Sequence, residues 1–272
     1  MRALERLSLV AILLATALLP SPGLLAESIA VTRAEGLTHG FLTLRTLDGT
    51  TIADGDLIQV VSGNQVTTRL VFRFKDGSLQ DETTVYTQRN QFRLVSDHLV
   101  QKGPAFKRPT ESTIDARSGR VHVRYTDEDG KEKVIEERLK LPPDLANGMI
   151  LTLLKNVSPK VPKTSVSMLA ITPKPLLVKL DFMPTDEEPF STGGTGRKAM
   201  HFVVKVDIPG LTGVVATILD KTPPDSHVWI VEGEAPAFVR SESPFFNGAP
   251  LWRIELVSPV WPAGSGSSAA KE

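Results

Sequence analysis

Apolar and polar residues alternate with period two along most of the chain after Ala34. Leu42 and Leu44 alternate with Phe41, Thr43 and Arg45 up to Asp48-Gly49. Val66, Leu70, Phe72 and Phe74 form the apolar set of Gln65 to Lys75, which ends at Asp76-Gly77. Leu79 to Arg89 is threonine-rich, and Gln91 to Leu99 alternates again. Val121, Val123 and Tyr125 precede Asp129-Gly130, and Val134 to Leu141 returns. Such alternation puts one face of each strand on a core and the other in water. The Asp-Gly pairs supply the positive φ angles of tight hairpins.

One stretch departs from period two. After Pro142-Pro143, Leu145, Met149, Ile150, Leu153 and Leu154 recur at helical spacing. Asp144 is the predicted N-cap and Asn156 the stop. Gly148 costs this helix about 1 kcal/mol against alanine. With so little polar surface, the helix is expected to be buried. Strands then resume at Ser165–Thr172, Leu176–Met183, His201–Ile208, Val214–Leu219, His227–Val231 and Leu251–Val257. Ser191 to Gly196 reads as a mobile loop and Lys221 to Asp225 as a proline turn.

The predicted fold is mainly β: an antiparallel curved sheet, or half-open β-barrel, wrapped on one short internal helix. The helix fills the concave face, which meets the burial demand of both. The competing architecture is two β-sandwich domains divided near residues 157–163.

The first 26 residues add a compartment. Arg2 and Arg6 precede an apolar run from Leu7 to Leu19, then Pro20, Pro22, Gly23 and a small Ala26. This order predicts a signal peptide over 1–26, with a β-rich domain over 27–262 and a disordered tail over 263–272. The chain is therefore expected in the periplasm or outside the cell. No later segment is apolar enough to span a membrane as a helix.

Composition narrows the chemistry. Lysine plus arginine number 31 and aspartate plus glutamate 31, so no net field favours nucleic acid. Cysteine is absent, which removes disulfides, thiolate metal sites and a cysteine nucleophile. No cofactor and no metal site is predicted. The five histidines His39, His98, His122, His201 and His227 show no i, i+4 pair. Asp225-Ser226-His227 gathers the residue types of a hydrolase, but neighbours on a strand face opposite ways. Asp127 to Gly130 lacks the distal ligands of a calcium loop and reads as a hairpin turn. Asp81 and Glu82 read as part of a solvated strand after the Asp76-Gly77 turn. Lys102, Lys107 and Arg108 surround Phe106 in a loop expected to be soluble.

All three tryptophans lie in the last fifth of the chain. With Trp229, Phe238, Phe245, Phe246 and Trp252, this region carries the predicted ligand-binding residues, as the mouth of an apolar pocket. Trp229 and Trp252 also fit a simpler role as core residues. Phe245 and Phe246, next to Asn247-Gly248, sit where a turn should hold them near the surface.

The segments RFKDGSLQDET (73–83), LPPDLANGM (141–149), KTPPDSHVWI (221–230) and GEAPAFVR (233–240) resemble signatures of a secreted protein group without assigned function. The overall plan resembles uncharacterised envelope proteins with an open β-barrel, a plan shared by the outer-membrane lipoprotein carriers. That resemblance implies an acyl chain or another apolar ligand in the concave face. The leading expectation is non-enzymatic binding of a lipid-like molecule. A structural module with an envelope protein partner, and a hydrolase using His227 or His201, are the alternatives.

Overall fold

The computed structural model describes residues 28–171, 174–192, 195–208, 223–233 and 235–257. The leader, the predicted strand Val214–Leu219, Trp261 and the tail 263–272 lie outside them. Eight strands come first: β1 (Thr38–Thr46), β2 (Thr51–Ser62), β3 (Gln65–Phe74), β4 (Leu79–Gln88), β5 (Phe92–Lys102), β6 (Thr110–Asp115), β7 (Arg120–Thr126) and β8 (Glu132–Arg138). The helix α1 (Ile150–Leu154) follows. Six more strands follow among the described residues: β9 (Thr164–Ala170), β10 (Leu176–Thr192), β11 (Thr195–Asp207), β12 (Ser226–Val231), β13 (Ala237–Ser243) and β14 (Trp252–Leu256).

All fourteen strands belong to one antiparallel sheet, in the order β8 to β1, then β14 to β9. β1 joins the halves because both its edges are used. Leu44 lies opposite Ala53 on β2 and opposite Ile254 on β14. The chain is thus not split into two sandwiches. The sheet is curved and open, with β8 and β9 as its ends. The segment from β8 to β9 carries the helix. Its residues 144–146 cover the β9 edge: Leu145 faces Ser167 in parallel, and Ala146 N–H donates to the Ser167 carbonyl at 2.8 Å.

The helix is shorter than its pattern. Asp144 caps nothing. Its carboxylate accepts from Ser167 Oγ at 3.0 Å and from Lys179 Nζ at 3.3 Å, tying the segment to β9 and β10. Gly148 then takes φ 65°, a left-handed conformation that no helix interior accepts, so the helix begins only after it. Asn156 does stand just past the end. Its Oδ1 accepts from the backbone N–H of Thr32 and Arg33 at 3.0 and 2.7 Å. Leu145, Met149, Leu153 and Leu154 are buried in the concave face, in one apolar cluster with Leu44, Phe72, Tyr86, Phe182 and Phe202.

Several strands lie where the alternation named none, or run further than it did. In β2, Asp54-Gly55-Asp56 looks like a turn. Instead Gly55 lies between Leu42 and Phe72, and a Cβ there would lie 2.5 Å from the Phe72 ring. That glycine makes room for an aromatic ring and turns nothing. β6 and β13 were hidden by polar composition and by the proline of Ala235-Pro236-Ala237. Of the segment Ser191 to Gly196, read as a mobile loop, the described residues pair as strand, with Ser191 opposite Gly196 and Thr192 opposite Thr195; residues 193 and 194 lie outside the described ones. β10 and β11 run past Met183 because residues 187–192 pair with 195–200, after a register shift at Pro184/Glu187.

Candidate functional site

The two ends of the half-barrel are built differently. Where β3 finishes and β14 starts, Phe72, Phe74, Phe106, Phe245, Phe246 and Trp252 interlock. Trp252 lies 5.1 Å from Phe245, 5.4 Å from Phe74 and 6.2 Å from Phe246, centroid to centroid. Phe106, from the basic loop, packs edge-on at 5.4 Å from Phe74. Gln101 Nε2 donates to the Phe245 carbonyl at 3.0 Å, pinning the β13–β14 loop across the sheet. Edge-to-face pairs of this kind contribute beyond the area they bury. Phe245 and Phe246 escape full exposure because their loop folds inward, not because the turn is absent.

The other end is open. A cleft of ≈ 610 Å³ lies beside the end of α1, walled by Leu154, Val157, Phe202, Ile230 and Pro236. Its polar rim includes Lys155, which pairs with Glu35 at 2.5 Å. Glu35 also accepts from Gln59 Nε2 at 2.9 Å. These contacts and the Asn156 bonds hold the segment 32–36 along the cleft.

Between the ends, the concave face carries an unexpected polar row. β4 and β5 point Glu82, Thr84 and Asp97 inward. Asp97 is buried and accepts from Thr84 Oγ1 at 2.8 Å. Burial pushes the Glu82 carboxyl up to about 8 and the Asp97 carboxyl up to about 6, and for Glu82 the nearby Asp97 charge adds to the effect. Among the described residues neither carboxyl has an ion pair. Ser112, inward on the adjacent β6, is fully buried with its hydroxyl unpaired. Glu82 therefore does not belong to a solvated face. Its alternation with Thr84 and Tyr86 was the signal that could have shown it.

The predicted site residues separate. Phe245, Phe246 and Trp252 come together in the aromatic wall, and Phe238 is buried in the same interior cluster. Trp229 faces the opposite way. On the convex surface its indole stacks on His201 at 4.6 Å and 7°, with the Arg240 guanidinium 3.9 Å above the ring. Its Nε1 donates to Glu188 Oε2 at 2.9 Å. His201 and His227 meet there too, Nε2 to Nδ1 at 2.9 Å. The Thr185 hydroxyl donates to the His201 carbonyl at 3.1 Å and lies 2.9 Å from Nδ1. Glu188 Oε1 is 3.3 Å from the same nitrogen. Burial pulls the His201 pKa down, partly countered by Glu188. The extra residue at the Pro184/Glu187 shift lets β10 reach over this patch. Ser226 is one residue from His227 and, by strand alternation, on the other face.

Among the described residues, no group of three or more histidines, aspartates or glutamates is placed to hold a metal. No helix among them is long and apolar enough to cross a membrane. No family model matches the chain, and no curated protein matches it. Among solved structures, it is similar to a beta-barrel-like protein of a domain of unknown function, DUF1849, from Brucella abortus. The TM-score is 0.42 and the identity 10%, over 85% of this chain and 100% of that one.

Proposed function

We propose that this protein is an exported, non-enzymatic binding protein that holds an apolar or amphipathic, lipid-like molecule in the cleft beside α1. The observation that carries this reading is the cleft itself. The helix fills the middle of the concave face and aromatics close one end, yet ≈ 610 Å³ stays open at the other. Clefts that take small ligands run from about 300 to 1,000 Å³ and are mostly apolar with a few polar groups. Leu154, Val157, Phe202 and Ile230 supply the apolar wall, and Lys155, held by its ion pair with Glu35, belongs to the polar rim. The aromatic residues first expected at the mouth would act instead as the closed floor of the same half-barrel.

The test is native mass spectrometry of the purified protein, followed by organic extraction of any adduct. A stoichiometric fatty acid or phospholipid, lost in Val157→Trp with the far-ultraviolet dichroism unchanged, is the expected result. An apo mass after expression in a bacterial envelope, together with no binding of added oleate, rejects the reading.

A further inference from the structure

We infer that β8 is a self-recognition edge, through which two copies of this chain pair antiparallel about a two-fold axis at Ile135. The two ends of the sheet are treated differently. The β9 edge is covered by residues 144–146 of its own chain. The β8 edge is covered by nothing among the described residues, and Glu132, Lys133, Val134, Glu136 and Arg138 on it are all exposed. It also carries no proline and no bulge, two of the devices that natural edges use against pairing.

The backbone decides which residues face outward. Asp127 N–H donates to the Lys131 carbonyl, and Leu139 N–H to the Gly119 carbonyl. The β7–β8 register is unbroken, with Tyr125 opposite Lys133 and Val121 opposite Glu137. Odd-numbered residues of β8 therefore spend their N–H and C=O groups on β7. Glu132, Val134, Glu136 and Arg138 present theirs to the free edge. A symmetric pair must set even residues against even residues. That condition permits axes at Val134, Ile135 or Glu136 and excludes those halfway between residues.

Charge then chooses one. With the axis at Ile135, Glu132 meets Arg138 and Lys133 meets Glu137, each twice by symmetry. With the axis at Val134, Glu132 meets Glu136. With the axis at Glu136, that carboxylate meets itself. Opposite charges across a strand pair stabilise it and like charges destabilise it. In the Ile135 register the two Ile135 side chains would adjoin on the inner face, extending the apolar cluster that Ile135 already joins. Within one copy Glu132 is 3.9 Å from Arg124 and Lys133 is 3.6 Å from Asp127, both loose pairs, while Arg138 Nε donates to the Ser118 carbonyl at 3.0 Å. The Glu132 and Lys133 charges can be re-used across the pair. An isologous contact of this kind closes on itself and leaves the two clefts independent.

Sedimentation velocity of the purified chain across concentration tests this. A reversible dimer is expected that weakens at least tenfold in Val134→Pro, which removes an edge N–H that β7 does not use. Lys133→Glu should abolish it, and the double variant Lys133→Glu/Glu137→Lys should restore it. Ile135→Cys should form an intermolecular disulfide on mild oxidation, since paired residues at this axis bring their Cα atoms within disulfide range. A chain that stays monomeric to millimolar concentration overturns the inference, as does a dimer indifferent to Val134→Pro or a charge-swapped double variant that stays apart. None of these outcomes bears on ligand in the cleft.

Discussion

The sheet sets acidic residues against both its faces, and the two surroundings differ in kind. On the convex face, Glu188 is held by Trp229 Nε1, by Arg240 at 3.6 Å and by His201 at 3.3 Å. Each partner is a donor or a cation, and solvent reaches the group. On the concave face, Glu82 feels the charge of Asp97, and Asp97 accepts from the Thr84 hydroxyl, with no ion pair to either carboxyl among the described residues. A carboxylate out of water needs a partner or a proton. The convex patch supplies partners, whereas the concave one supplies protons. Burial therefore raises the carboxyl pKa values of the concave pair, whereas on the convex patch it lowers that of the His201 ring.

The largest effect should come from the residue that covers the concave pair. Gly148 has φ 65°, and a Cβ there would lie 1.8 Å from Thr84 Oγ1 and 2.7 Å from Asp97 Oδ1. Gly148→Ala should cost about 3 kcal/mol, combining left-handed strain with overpacking. Urea denaturation would measure it, and an unchanged midpoint would mean that the segment does not sit over the pair.

Next comes the proton itself. The folded-state pKa values of Glu82 and Asp97 lie above their unfolded values, so this contribution to stability is complete below about pH 4. It is lost as pH rises through about 6 and about 8. Glu82→Gln should stabilise the protein at pH 8 by on the order of 2 kcal/mol and change little at pH 4.5. Thermal melts of both proteins across that range would show the two curves converging in acid. Parallel curves would show that Glu82 keeps its charge in the fold.

The smallest effect belongs to the convex patch. The His201 pKa is lowered in the fold, so its contribution is present above about pH 6.5 and lost as pH falls below it. Glu188 and His201 remain partly exposed, and pairs of that kind contribute about 0.2–1 kcal/mol. Glu188→Gln should cost no more than that at neutral pH. Urea denaturation would measure this loss of charge, since the glutamine amide oxygen still accepts from Trp229 Nε1; a loss above about 2 kcal/mol would make the patch part of the main core.

Much of the fold was readable from alternation. Thr38–Thr46 and Gln65–Phe74 show a period of two strong enough to name their inward residues. What escaped did so for identifiable reasons. Gly55 has the composition of a turn but is a strand residue whose missing side chain admits the Phe72 ring. Asp144 has the composition of an N-cap but spends its oxygens on Ser167 and Lys179. Trp229 was grouped with Phe238 by proximity in sequence, yet the register shift between Trp229 and Ile230 and the strand period set them on opposite faces. The cleft was not legible at all, because its walls come from α1, β11 and β12 and from the segment before β1.

By itself, the sequence determined that this is an antiparallel β protein with one buried helical segment, because period two and period 3.6 are local properties of the chain. It also determined the hairpin turns, since Asp48-Gly49, Asp76-Gly77 and Asp129-Gly130 reach φ of 94°, 87° and 74° without help from elsewhere. Only the tertiary structure decided that β1 joins both halves into one sheet, which end of the half-barrel closes, and that Glu82 faces inward against Asp97. Those outcomes depend on which distant strands share an edge or face a common interior, and no local pattern encodes that choice.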